Sequence, residues 1–279
     1  MNNKFVISGF VDEASEALDV QIDVMKKLGM KYIEPRLVDG KNIIKLSDEE
    51  LDNLKKVLDE NGFAASSIGS PIGKIKTTDD FDAHFEEFKR AVYAAKKLGT
   101  KYIRMFSFFV DEDKTEENRD YIIEKLSVMV RFAEENGVVL LHENEKGIYG
   151  NIAPRCKDLF ESIKSDSFRA VFDFSNFVEC EQETMEAYEM LKPYIEYVHV
   201  KDCKWGGGVV PPGDGDGKLE AIFTKLSESG YAGFVSLEPH LFTFEIPEDA
   251  GELVLSFPDK KQQRFAYAHK ALCEMLERI

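Results

Sequence analysis

Apolar and polar residues recur along this chain in one order: an amphipathic stretch of helical period, a glycine, then a short apolar run. The unit is found at residues 26–35 (KKLGMKYIEP), 59–68 (DENGFAASSI), 96–105 (KKLGTKYIRM), 134–143 (EENGVVLLHE) and 227–238 (SESGYAGFVSLE). Gly29, Gly62, Gly99, Gly137 and Gly230 each fall where a helix needs a left-handed C-terminal residue. LGMKYI and LGTKYI are near-identical, as an internal repeat of about one βα unit would be. Residues 4–10, 168–174 and 194–200 are apolar runs without the glycine, which brings the predicted strands to eight.

The intervening segments read as helices. Ser47 followed by Asp48, Glu49 and Glu50 has the signature of a capped helix with acids in its first turn. Phe81, Phe85, Phe88, Val92 and Tyr93 predict a helix over residues 78–98 whose apolar stripe faces the sheet. Residues 118–135 and 261–278 behave similarly. An unbroken run such as Val138–Leu141 belongs to a strand buried on both faces, which is the habit of parallel sheets. Strands alternating with helices give an α/β fold with a parallel sheet. No glycine-rich dinucleotide fingerprint follows the first strand, so a closed (β/α)8 TIM barrel is favoured over an open doubly wound sheet. No linker or low-complexity segment divides residues 1–279, which read as one domain.

Composition narrows the function. A formal net charge of −16 argues against a nucleic-acid partner, which would require a basic face. Cys156, Cys180, Cys203 and Cys273 are widely spaced with no CxxC, so neither a disulfide framework nor a zinc knuckle is expected. There is no signal-peptide profile and no run of membrane-spanning length, so a cytoplasmic protein is expected.

The chemistry lies at the strand ends. The fifth strand runs into His142, Glu143, Asn144 and Glu145, at the end where barrels of this type build active sites. Alternation sends Glu143 and Glu145 one way, His142 and Asn144 the other. The sixth strand closes on Asp173, with Asn176 three residues on; the seventh on His199, Lys201 and Asp202; the eighth on Glu238, with His240 sharing its face. Carboxylates aimed at one space repel unless protonated, paired or metal-bound. Glu143, Asp173, His199 and Glu238 therefore form a candidate ligand set for a divalent ion, Mn²⁺ first, with Mg²⁺, Co²⁺ or Zn²⁺ as alternatives. Glu145 is an alternative to Glu143 as first ligand, or a substrate contact.

These motifs, FVDEAS, LLHENE, FDFSNF, HVKD with a following PPGDGDG, and SLEPH, make the chain similar to the xylose isomerase-like sugar phosphate isomerase/epimerase superfamily over nearly its whole length. The resemblance implies a TIM barrel whose Glu-Asp-His-Glu metal quartet falls on Glu143, Asp173, His199 and Glu238. It implies a small carbohydrate substrate, and Asn176 stands where many epimerases have a substrate-contacting histidine. Chelation of a sugar carbonyl and hydroxyl would acidify the α C–H, and Glu143 and Glu238 would remove and return that proton through a metal-stabilised ene-diolate. Return to the same carbon is epimerisation and to its neighbour isomerisation; loss of a β-hydroxyl would be dehydration. Epimerisation or isomerisation is favoured, with a lyase or dehydratase as the alternative and a non-catalytic sugar-binding barrel as the third reading.

Further substrate contacts are expected from Glu34, Arg36, Arg104, Lys201 and Asp202, although Glu34 and Arg36 could instead form a structural ion pair. Residues 206–217 (GGGVVPPGDGDG) follow the seventh strand, where barrels often bind phosphate through backbone N–H groups; a flexible cover is the simpler reading. Residues 241–259 are long for a βα turn and read as a lid or a homo-oligomer contact.

Overall fold

The computed structural model describes residues 5–279. The predicted first strand's Lys4 lies outside them. Eight short strands follow the apolar runs: β1 (Val6–Gly9), β2 (Tyr32–Ile33), β3 (Ala64–Ala65), β4 (Tyr102–Met105), β5 (Val139–Glu143), β6 (Phe168–Asp173), β7 (Ile195–Val200) and β8 (Phe234–Leu237). Six of them form one curled parallel sheet in the order β1-β8-β7-β6-β5-β4. The parallel pair β2 and β3 spans the remaining gap. Backbone bonds stitch both seams: Glu34 N–H donates to the Gly9 carbonyl at 2.9 Å, and Ile68 N–H to the Tyr102 carbonyl at 2.9 Å. The result is a TIM barrel fold.

Strands β2 and β3 have two residues each, shorter than their apolar runs. Pro35 cannot donate, so the ladder stops just past Glu34. Just past β3, the Ser66 hydroxyl donates to the Ile33 carbonyl and bonds the Tyr197 hydroxyl.

The helices wrap outside: α1 (Leu18–Leu28), α2 (Asp48–Glu60), α3 (Phe81–Leu98), α4 (Thr115–Asn136), α5 (Ala153–Ile163), α6 (Phe174–Glu179), α7 (Thr184–Leu191), α8 (Leu219–Glu228), α9 (Glu252–Leu255) and α10 (Lys260–Glu277). Ser47 caps α2 with Glu50 in a reciprocal capping box. All five repeat glycines have positive φ, from +66° to +80°. On α3 the apolar stripe is displaced from the expected one. Phe88, Ala91, Val92, Ala95 and Leu98 are buried, whereas Tyr93 is exposed beneath Arg90, and Phe81 and Phe85 pack sideways on Phe108 and Phe132. The large rings fill the gap between α3 and α4 while small alanines let α3 approach the sheet. No helix among the described residues is long and apolar enough to cross a membrane.

The inside of the barrel follows the period of two. Leu141, Val171 and Tyr197 form a small buried cluster of their own. Two residues further along the same strands stand Glu143, Asp173 and His199, so one apolar layer is the floor on which the polar layer sits.

Because a Cβ on Gly137 would meet nothing within 4 Å, its left-handed backbone is the only constraint there. Gly137→Ala is expected to lower the unfolding free energy by about 1 kcal/mol with unchanged secondary structure, read by urea denaturation followed by circular dichroism.

Candidate metal centre at the barrel mouth

Glu143 ends β5, Asp173 ends β6, His199 lies in β7 and Glu238 follows β8. Register places Asp173 opposite His199, and Ser236, two residues before Glu238, opposite His199 on its other side. All four side chains are buried, and each offers a ligand atom within 4.8 Å of the others. Glu143 and Glu238 line a pocket of about 330 Å³ at the C-terminal mouth, and Asp173 and His199 lie fully buried beside them.

The division of labour among their atoms is the informative feature. Asp173 Oδ1 accepts the Asn176 N–H at 2.8 Å and so caps α6. Its other oxygen, Oδ2, lies 3.4 Å from Lys201 Nζ without a hydrogen bond. One oxygen of this strand-terminal aspartate therefore serves as a helix cap, and the other is free of hydrogen bonds. His199 Nε2 faces Glu34 Oε2 at 3.2 Å, which leaves Nδ1 pointing into the site. Nδ1 is 3.1 Å from Glu143 Oε1 and 3.6 Å from Glu238 Oε2, close but not aligned for hydrogen bonding. Two buried polar atoms, Asp173 Oδ2 and His199 Nδ1, thus have charged neighbours but no hydrogen bond. Buried polar atoms are rarely left so unless a ligand satisfies them. Three carboxylates and an imidazole oriented from behind by a carboxylate fit a divalent cation.

The charges show the same bias. Burial opposes ionisation of Glu143, but His199 and Arg104 outweigh it and hold the carboxyl at about 2. Burial also disfavours the Glu238 carboxylate, yet His240, Lys201 and Arg104 hold its carboxyl well below the usual range. For Asp173 burial prevails over Lys201, and the carboxyl is pushed up to about 7. Burial would neutralise His199, but Glu143 and Glu34 keep it protonated, raising it to about 10.

The other expected site residues divide into two groups. Arg36, Arg104, Glu145, Asn176 and Lys201 line the pocket. Arg104 Nη1 lies 3.2 Å from Glu143 Oε2 and 3.4 Å from Glu238 Oε1. Arg36 does not pair with Glu34; it reaches Glu238 at 2.8 Å and is backed by Asp12 at 2.8 Å. Asn176 Nδ2 donates to the Asn144 carbonyl at 2.8 Å, and Glu145 pairs with Lys74 at the rim, 2.7 Å away, outside the quartet.

Glu34 and Asp202 are placed differently from the expectation. Glu34 is fully buried behind His199, where it also accepts the Tyr197 hydroxyl, and does not line the pocket. Asp202 accepts the N–H groups of Gly213, Gly215 and Gly217, each at 3.0 Å. The glycine-rich loop therefore spends its backbone donors on a carboxylate of its own strand end instead of on a phosphate. A Cβ on Gly215 would lie 2.2 Å from Asp202 Oδ1, so close wrapping requires glycine there. Residues 241–259 do not line the pocket; Phe244 stacks on Tyr267 of α10, and Phe257 is buried.

Two parts of the mouth had weaker signals in the sequence. Asp12 and Glu13 follow β1 as acids after an apolar strand, the pattern used for the other four strands. Glu13 clamps His240 through its N–H at 2.7 Å and its ring at 3.2 Å, holding that residue at φ +48° beside Glu238. Lys74 and Lys146 come from loops with no strand-end pattern.

A model of the xylose isomerase-like TIM barrel family matches residues 22–257, and the chain belongs to that family. No curated protein matches it in sequence. Among solved structures, it is similar to the IOLI protein with a bound zinc atom, at 19% identity and a TM-score of 0.79, covering 98% of this chain and 99% of that one. It is similar to D-psicose 3-epimerase with D-tagatose from Clostridium cellulolyticum H10, at 18% identity and a TM-score of 0.72 over 97% and 98% of the two chains. A third similar structure is the probable 3-DHS dehydratase AsbF of Bacillus anthracis, at 14% identity and a TM-score of 0.73 over 96% and 98%.

A cation bound by the quartet would displace the proton held on His199 and the one that burial leaves partly on Asp173 near neutrality. Calorimetric titration with Mn²⁺ at pH 7 is expected to release about one to two protons, seen as heats that vary with buffer ionisation enthalpy, and affinity is expected to fall as pH drops from 8 to 6. Buffer-independent heats would contradict this.

Proposed function

We propose that this chain is a divalent-metal-dependent sugar isomerase or epimerase acting by α-proton transfer. The observation that carries the reading is the buried quartet at the inner end of the pocket, with Asp173 Oδ2 and His199 Nδ1 free of hydrogen bonds and His199 Nδ1 turned toward Glu143 and Glu238. Solved relatives of the same fold include a D-psicose 3-epimerase and a protein with bound zinc, which supports the substrate class and the cofactor. When bound, the divalent ion polarises a sugar carbonyl and stabilises the charge left by loss of the neighbouring proton.

The protein's own groups supply the rest. Glu143 and Glu238 stand on β5 and after β8, with two strands between them in the sheet order, and both are held ionised at neutral pH. Glu238 takes the α-proton from one side and Glu143 returns one from the other, the direction set by which face of the sugar each meets. Arg104, Arg36 and Lys201 keep the pocket floor cationic enough to hold an ene-diolate oxygen. Asn176, and the Lys74–Glu145 pair at the rim, bind more distant hydroxyls.

A second reading, elimination of a β-hydroxyl, is favoured by His240. Burial works against its charged form, but Glu238 and Glu13 raise its pKa, and the ring lines the pocket as a proton donor for a leaving hydroxyl. A dehydratase is among the structural relatives.

Incubation with Mn²⁺ and a panel of ketoses in deuterated water separates these readings. Chelator-sensitive entry of deuterium at the α-carbon without loss of water supports isomerisation or epimerisation; a new conjugated chromophore identifies elimination. Glu238→Gln is expected to slow exchange by about 10²–10⁴-fold. Absence of exchange across the panel, with metal bound, would overturn the proposal.

A further inference from the structure

The geometry points to Arg104 as a positioning residue that limits Glu143 and Glu238 to one oxygen each toward a divalent cation. The inference rests on the metal reading given above. One nitrogen, Arg104 Nη1, lies between the two carboxylates, 3.2 Å from Glu143 Oε2 and 3.4 Å from Glu238 Oε1. Arg36 Nη1 holds the same Glu238 oxygen at 2.8 Å. The opposite oxygens, Glu143 Oε1 and Glu238 Oε2, are the ones that face His199 Nδ1. Asp173 repeats the division, with Oδ1 engaged by the Asn176 N–H and Oδ2 open.

A carboxylate beside a divalent ion can bind through one oxygen or both. Charge-assisted hydrogen bonds are the strong ones, and a guanidinium that holds one oxygen makes two-oxygen binding costly. Arg104 is suited to that task. Its side chain is buried between Phe10 and Phe106, whose rings lie 4.7 and 5.2 Å from the guanidinium carbon. Water does not screen its charge, and the packed rings keep it from swinging aside. Four protein donors, each giving one atom, leave about two positions of a six-coordinate ion such as Mn²⁺ open. Two positions are what a sugar needs to present a carbonyl and a hydroxyl together. Without Arg104, Glu143 can close into two-oxygen binding and take one of them, whereas Arg36 still holds Glu238 Oε1.

The test counts exchangeable waters on Mn²⁺ bound to the full chain, by water-proton relaxation. Wild type is expected to carry about two. Arg104→Met is expected to carry about one fewer, and Arg104→Lys, which keeps one cationic nitrogen between the carboxylates, to retain the wild-type number. Equal counts in wild type and Arg104→Met, or the same loss in the Met and Lys variants, would overturn the inference. Should Arg104→Met fail to fold, the wild-type count still decides, because one water or none means that the glutamates already use both oxygens. Failure of wild type to retain Mn²⁺ would overturn the metal reading itself, whereas retained Mn²⁺ with the wrong count overturns only the role of Arg104.

Discussion

Acids that face one another in a protein interior repel strongly, and the mouth of this barrel is arranged around that repulsion. Glu143, Asp173 and Glu238 converge at the inner end of the pocket, with Glu34 behind them and Asp12 and Glu13 to one side. Cations are set between the acids: Arg104 between Glu143 and Glu238, Lys201 at Asp173, Arg36 between Glu238 and Asp12. Removing one partner from such a buried set ordinarily costs about 3–5 kcal/mol, because the charge left behind has no water to turn to. The protein balances its charges around the quartet and still leaves an oxygen and a nitrogen unmatched at the centre. That imbalance is what a cation would correct.

Much of this arrangement was readable from the linear chain. A strand's period of two says which residues share a face, and the apolar layer of Leu141, Val171 and Tyr197 beneath Glu143, Asp173 and His199 obeys it. The repeat of helix, glycine and apolar run identified the barrel, because each glycine marks a helix end by a backbone requirement that owes nothing to distant contacts. The α3 stripe was misplaced for the converse reason. Periodicity gives a face to within about a third of a turn, and which aromatic goes inward is decided by the neighbouring helix, here by Phe132 of α4.

The supporting groups were harder to read. Glu34 meets His199 across 165 residues of chain, and Arg36 meets Glu238 across 202. Nothing local after β2 says which of Glu34 and Arg36 turns toward the pocket and which lies behind the imidazole. Local alternation does separate Glu34 from Pro35, but the short ladder of β2 ends there, and the rule ends with it. The left-handed backbone of His240 is similarly invisible, since it is imposed by Glu13 from the far end of the chain.

The carboxylate of Asp202, ringed by glycine amides, has a consequence for how this barrel can acquire new preferences. Those amides are already committed, so the main chain after β7 has little left with which to greet an anionic substituent. The cationic groups at the entrance are instead side chains, Lys74 paired with Glu145, and Lys146. Side chains can be exchanged one codon at a time without disturbing a turn. In this barrel, the charge presented at the entrance can therefore be altered by single substitutions at the rim, while the loop beneath stays fixed.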